Sequence, residues 1–315
     1  LPIDLIDIPA GNKRIEAMER GRALADPDHE DAGRRIRITA QELTAERIVS
    51  ALRRRVGDIP HRFAWNASRG QSAVNRARLL DYAADRHRGQ RCFILGNGPS
   101  LAKMDLRPMA GEWTFGMNRI YLLFEQMGFV PSYYCAANDL VIDQFAQDIA
   151  ALSMPKFLNW NGRSHFDESD GSLMFLRQAL TLTDFFGRDL RSPICSGGTV
   201  TFMALQIAYY MGFQQVVLVG VDHSFVDKGT PNRAVTRTDE ADENHFHPDY
   251  FPKGSRWQLP DLLRSEQAYR LAREAYEADG REIVDATVGG ALQVFEKVEY
   301  WDLVEEQGSK KDNAQ

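Results

Sequence analysis

The sequence predicts an α/β fold, with a mostly parallel sheet flanked by helices and a helical N-terminal extension in front of it. Three observations lead there. From Arg91 onward, short apolar runs alternate with helical stretches. The runs are continuous, not alternating, as in strands buried on both faces of a parallel sheet. The first three runs and the most β-prone one stop at Gly96, Asn118, Asn138 and Asp222, residue types that open turns. Strands and helices in this succession give Rossmann-like layering.

The elements follow in order. Residues 14–57 are rich in Arg, Glu and Ala, with Ile48, Leu52 and Val56 at near-helical spacing. Residues 70–88 read as another helix, with Val74, Ala77, Leu80 and Ala83 on one stripe. Expected strands are Cys92–Leu95, Trp113–Met117, Tyr133–Ala137, Lys156–Trp160, Val216–Val221 and Glu282–Val284. Thr199–Met211 is a helix apolar almost all round, closed by Gly212. Ser265–Asp279 is a second, with Ala268, Leu271, Ala272, Ala275 and Tyr276 on one side and Gly280 at its end.

Composition bounds the function. The chain has 315 residues, 43% hydrophobic and 26% charged, so it is neither disordered, collagenous nor a coiled-coil rod. No uncharged apolar run nears the roughly 18 residues a membrane helix needs. The net charge of −6 argues against a protein built to grip nucleic acid. Residues 1–90 hold 17 Lys+Arg against 13 Asp+Glu, whereas residues 91–315 hold 21 against 31. The basic segment reads as a solvated helical surface, or as a contact for a membrane or another protomer. Cys92, Cys135 and Cys195 are odd in number and widely spaced, which fits a reducing cytoplasm rather than a disulfide framework. The first residues lack the order of a signal peptide. A break in texture near residue 89 divides a helical region, 1–89, from a catalytic domain, 90–304. The polar tail, 305–315, is expected to fray.

Four clusters carry possible chemistry. Gly96-Asn97-Gly98-Pro99-Ser100 follows the first strand, where glycines allow backbone N–H groups to face a phosphate. A plain structural turn is the competing reading. It is neither the dinucleotide fingerprint nor a Walker loop. Ser196-Gly197-Gly198-Thr199 opens an apolar helix, a generic anion-binding arrangement or a plain cap. Asp222-His223-Ser224 follows the best strand; adjacent residues there point opposite ways and do not make a triad. Asp222 is expected to bond a ribose hydroxyl or to order a loop. His245-Phe246-His247 lies in a polar stretch, about 227–260, that reads as a mobile lid. Its histidines suit a general base at neutral pH, and no HExxH or paired cysteines support zinc. Asn118, Asn138 and Asp139 complete the polar residues at strand ends, where α/β folds bind ligands.

The runs ILGNGPSL, FGMNRIY and SGGTVTFMALQIAYYMGFQQVVLVGVDHSF resemble the MptE-like family, named for the archaeal 6-hydroxymethylpterin diphosphokinase. The same landmarks are similar to those of Campylobacter-type bacterial sialyltransferases and flagellin-modifying motility accessory factors. The resemblance covers about residues 91–300. It implies that Asn97 and Asn118 contact a donor nucleotide, and that Ser196, Gly197 and Gly198 lie near its ribose or phosphate. It also implies a lid histidine, His245 or His247, as base. The sialyltransferases have two tyrosines that help the leaving phosphate. This chain has His223 and Phe225 near the first, and no clear tyrosine for the second until Tyr250.

What the resemblance implies is a glycosyltransferase of bacterial glycan biosynthesis that uses a CMP-linked acidic sugar and a glycan or glycoconjugate acceptor. A cytoplasmic location is expected, with the inner face of the membrane as the option that the basic segment leaves open. No cofactor is required in that reading, because the one D-x-D, Asp26-Pro27-Asp28, lies outside the core. Pyrophosphoryl transfer from ATP to a pterin alcohol, with Mg²⁺, is the alternative. A nucleotide-binding protein without turnover is the third.

Overall fold

The computed structural model describes residues 45–67, 69–181, 183–226, 229–238 and 242–304. The helix expected over 14–44, Asp26-Pro27-Asp28, the 305–315 tail and lid residues 227–228 and 239–241 lie outside them. The chain divides into two compact units, Leu1–Val56 and Gly57–Gln315. The described part of the first unit is the opening of helix α1 (Ala45–Asn66). Residues 57–89, grouped with the N-terminal region by texture, belong to the second unit with the sheet.

The main sheet has eight strands: β1 (Arg91–Leu95), β2 (Trp113–Met117), β3 (Tyr133–Ala136), β4 (Lys156–Asn159), β5 (Leu173–Leu176), β6 (Gln215–Val219), β9 (Glu282–Asp285) and β10 (Glu296–Lys297). Their order is β10-β9-β6-β1-β2-β3-β4-β5, and every pairing is parallel. A short antiparallel pair, β7 (Ala234–Thr236) and β8 (Arg256–Gln258), belongs to the lid. The expected α/β fold with a mostly parallel sheet is the one found. All six expected strands are present, β2 with the expected ends and the other five with ends shifted by one or two residues. β6 stops at Val219 because Gly220 turns the chain at φ +73°. β5, β10 and the lid pair were not anticipated.

The continuous apolar runs explain the layers. Successive strand residues face opposite sides. Cys92, Ile94, Phe115, Tyr133, Val216 and Leu218 build one core, under α5 (Val200–Tyr210) and α6 (Leu262–Ala278). Phe93, Leu95, Tyr134, Ala136, Val217 and Val219 build the other. The second core also takes Val141 and Ile142 of α4 (Asp139–Ala150) and the lid aromatics. Burying each large apolar side chain contributes about 1.5–3 kcal/mol. α5 is apolar all round because it lies between the sheet and α6.

The helix over 70–88 is real but rotated from expectation. α2 (Gln71–Arg78) continues into a π-turn at Leu79–Ala83. Its buried face is Ser72, Asn75, Leu79 and Ala83, while Val74 and Leu80 are 51% and 47% exposed. Asn75 fixes the rotation. Its Nδ2 donates to Phe175 O at 2.8 Å and its Oδ1 accepts from Phe175 N–H at 2.7 Å. One buried amide thus pairs the backbone of the edge strand β5, which would otherwise be open. Among the described residues, no helix is long and apolar enough to cross a membrane.

Candidate active site

β1 and β6 are neighbours, and β2–β5 continue on one side while β9 and β10 lie on the other. The strand order therefore reverses at β1 and β6, which opens a crevice at their carboxyl ends. Gly96–Ser100 leaves β1 there. α5 leads into β6 and runs antiparallel to it, so Ser196–Thr199, at the α5 N-terminus, stands at the same edge. The two glycine corners share one side of the sheet.

The first corner is locked by the protein itself. Gly96 N–H donates to Val219 O at 2.7 Å and Gly98 N–H to Gly220 O at 3.0 Å. Ser100 donates its N–H to Asp222 Oδ1 at 3.0 Å and its hydroxyl to Oδ2 at 2.6 Å. A Cβ on Gly98 would lie 1.9 Å from Asp222 Oδ2, so this carboxylate is what requires glycine. Asp222 thus orders the loop. With Pro99 lacking a donor, the corner presents its Asn97 side chain rather than a ring of free amides. Asn97 Oδ1 is buried without a hydrogen-bond partner.

Asn118 ends β2 in the left-handed region at φ +49°, with its N–H on Cys135 O at 3.1 Å. Its amide faces the Tyr250 hydroxyl, and its Oδ1 is likewise buried and unpartnered. Arg119, the next residue, reaches into the lid and donates to Asp249 O at 2.6 Å and to Tyr250 O.

The lid is docked rather than open. Phe246 N–H donates to Asn97 O at 3.0 Å, which ties it to the first corner. Asn138 caps α4 through Oδ1, 2.8 Å from Leu140 N, and gives its Nδ2 to Gln258 Oε1 at 2.9 Å. Gln144 meets the Arg256 backbone in both directions at 2.7 Å. Phe246, Tyr250, Phe251 and Trp257 are all buried in the second core. The aromatics of this otherwise polar stretch form a cluster of their own. Asp139 accepts from Asn159 Nδ2 at 2.5 Å.

That cluster holds His245. Its ring lies flat on Tyr250, centroids 4.0 Å apart and planes at 4°. Nδ1–H donates to Asp242 Oδ2 at 2.9 Å, and among the described residues Nε2 meets no partner. Asp242 is buried, accepts from Asn244 N–H at 2.9 Å, and has Arg237 3.8 Å away. Its carboxyl is held below the usual range: burial opposes this, and hydrogen bonds from His245 and Asn244 with the Arg237 charge outweigh it. His247 differs, because its Nδ1 accepts from Asp249 N–H at 3.1 Å and its neutral ring then carries the proton on Nε2. Of the two lid histidines, His245 has the geometry of a base.

The second corner gathers charge. Thr199 caps α5, its hydroxyl accepting from Thr201 N–H at 3.3 Å. Gly197 sits at φ +56°, where a Cβ would lie 2.5 Å from the Phe202 ring. Arg264 grips Asp184 with Nε at 2.8 Å and a terminal nitrogen at 2.7 Å, and reaches Ser196 Oγ at 3.4 Å. The bond to Asp184 pushes the guanidinium above its ordinary range. Among the described residues, Gly198 N–H meets no acceptor, and Gly198 faces Arg264 and Ser265 of α6. His223, just after Asp222, is left-handed at φ +54° with Nε2 3.8 Å from Glu266.

Sequence reading missed Asp242, Arg119, Arg264 and Asp184. Asp242 stands three residues before His245 and Arg119 beside Asn118, so both were within reach of a local search. Asp184 and Arg264 are separated by 80 residues and leave no local signal.

No curated protein matches the chain. Among solved structures, a MAf glycosyltransferase from Magnetospirillum magneticum AMB-1 aligns at 14% identity and a TM-score of 0.45, over 78% of this chain and 41% of that one. The chain thus spans about two fifths of that protein's length. The family described as 6-hydroxymethylpterin diphosphokinase MptE-like matches residues 68–228, and the chain belongs to it.

Proposed function

We propose that this protein is a glycosyltransferase that moves a sugar from a nucleotide-activated donor, with a CMP-linked acidic sugar as the donor class. The observation that carries the proposal is the Asp242–His245 pair, held by the lid beside the Asn97 corner with Nε2 left as an acceptor. Asn97 and Asn118 offer two buried oxygens as acceptors for amino or hydroxyl groups of the nucleotide. Buried acceptors of this kind are costly unless a ligand supplies the donor.

The step is a single inverting displacement. The acceptor hydroxyl gives its proton to His245 Nε2 as its oxygen bonds the anomeric carbon. The bond from that carbon to the phosphate oxygen breaks, and its electron pair leaves with the nucleotide. The growing negative charge is met by Gly198 N–H, the N-terminus of α5 and Arg264. Asp242 keeps the imidazole in the tautomer that accepts and stabilises the imidazolium that forms.

Pyrophosphoryl transfer to a pterin alcohol is the second reading, favoured by the family match over residues 68–228. Thermal unfolding of the full chain with CMP, CDP, UDP and ATP, each with and without Mg²⁺, separates the two. A ligand at 100 times its Kd adds about 2.7 kcal/mol. Stabilisation by CMP without metal is the expected result. A shift with ATP and Mg²⁺ alone selects the diphosphokinase reading.

A further inference from the structure

The last turns of α1 pack against the usual amphipathic rule. Asp58, His61 and Trp65 recur at helical spacing and share one face, and that face is turned inward. Asp58 pairs with Arg177, the residue after β5. His61 Nδ1 accepts from Arg163 at 3.0 Å, and its carbonyl accepts from Trp160 Nε1 at 3.1 Å. The Trp65 ring meets Trp160 edge to face, with centroids 5.1 Å apart. The opposite face holds Ile59 and Phe63, which are 48% and 75% exposed, and Val56, one turn earlier, is 64% exposed. A helix ordinarily buries such a stripe and leaves its polar side to water. Three large apolar side chains exposed in a row mark a contact surface.

Charge tells what covers it. Helical spacing puts Arg55 and Arg62 along one flank of the stripe and Arg53 along the other, and all three are exposed. Asp58, the one carboxylate between Arg53 and Arg69, is on the inward face and taken by Arg177. A second copy of the chain fits poorly, because a two-fold contact across the stripe sets arginine against arginine. A bilayer fits both features. Apolar side chains enter the acyl boundary, while guanidinium groups on the flanks reach anionic headgroups with their stems along the apolar surface.

We infer that α1 docks the protein on a bilayer containing anionic phospholipid. Val56, Ile59 and Phe63 enter the lipid, and Arg53, Arg55 and Arg62 hold its headgroups. This surface does not depend on the transferase reading of the site. Arg177 follows β5, and Trp160 and Arg163 follow β4, so this part of α1 stands at the carboxyl ends of those strands. Every pairing in the sheet is parallel, so that is the edge at which the two glycine corners stand. A docked bilayer therefore meets the protein at the edge of the sheet where the crevice opens.

The test is flotation of the full chain with vesicles of phosphatidylcholine alone and of an equimolar mixture with phosphatidylglycerol. Wild type should float with the mixture, weakly with phosphatidylcholine alone, and less as salt rises. Ile59→Ser with Phe63→Ser should weaken binding roughly tenfold or more, since each removes apolar area that enters the lipid. The unfolding midpoint should stay, because neither side chain is buried. Arg55→Gln with Arg62→Gln leaves the apolar stripe whole and should weaken binding by roughly fivefold for each arginine. Wild type that stays in solution with the mixture overturns the inference, as does undiminished flotation of both paired variants. Equal flotation with phosphatidylcholine alone removes the anionic headgroup and overturns it as well. A wild-type dimer in light scattering that Ile59→Ser with Phe63→Ser splits, with no flotation, gives the stripe to a second copy instead.

Discussion

His87 and His245 are both flat against an aromatic ring, and they are opposites in chemistry. His87 stacks on Phe213 with centroids 4.5 Å apart and planes at 13°; His245 stacks on Tyr250 at 4.0 Å and 4°. His87 spends both nitrogens on neutral partners, donating to Gln90 Oε1 at 2.7 Å and accepting from Tyr133 OH at 2.6 Å. His245 gives one nitrogen to a carboxylate and keeps the other open. Burial and stacking therefore do not distinguish a working histidine from a structural one. The charge of one partner, and the vacancy left at the other nitrogen, do.

Substitution at the two sites should separate turnover from stability. His245→Ala should lower turnover by roughly 10²–10⁴, the usual contribution of a general base, with nucleotide affinity nearly intact. Release of CMP from a CMP-sugar donor measures it. A decrease below about tenfold removes His245 as base. Asp242→Asn keeps the shape but not the charge, and should reduce turnover by roughly 10²-fold through loss of the accepting tautomer. If Asp242→Asn is as active as wild type, the carboxylate serves only to hold the lid.

His87→Ala should do the reverse. It takes from the buried Tyr133 OH its histidine acceptor and removes a stacked ring from the core, at a cost of roughly 2–3 kcal/mol in a urea titration. Activity per folded molecule should stay near that of wild type. The smallest effect expected is in pH. Burial lowers the pKa of His87, and of His61 and His223 as well. The folded state then binds fewer protons than the unfolded one below the ordinary histidine value of about 6.5. Their contribution to stability is present above that pH and is lost as pH falls through it. The urea midpoint should drop between pH 7.5 and 5.5, and less steeply in His87→Gln. A flat profile contradicts the sign.

The site was legible in proportion to how local its signals are. Gly96–Ser100, Asn118 and Ser196–Thr199 announce themselves by turn residues against apolar runs, and all stand at the carboxyl edge. Sequence could not tell that Asp222 takes the Ser100 donors, because the two are 122 residues apart. It could not tell that Phe246, Tyr250, Phe251 and Trp257 of the lid join one core, because they pack together only after the chain doubles back. The α2 stripe pointed the wrong way for a related reason. A polar residue, Asn75, is buried to complete the edge strand, and hydropathy spacing counts such residues as outward-facing.

By itself, the sequence determined six strands of the main sheet to within one or two residues, and that the sheet is buried on both faces, since these follow from periodicity and turn chemistry over a few residues. Tertiary structure decided that β6 lies beside β1, which histidine meets a carboxylate, and that Arg264 meets Asp184. Apart from the short-range Asp242–His245 pair, these depend on contacts between distant segments. Even that pair needs the lid aromatics to fix the ring, and hydrophobic spacing carries no record of such partners.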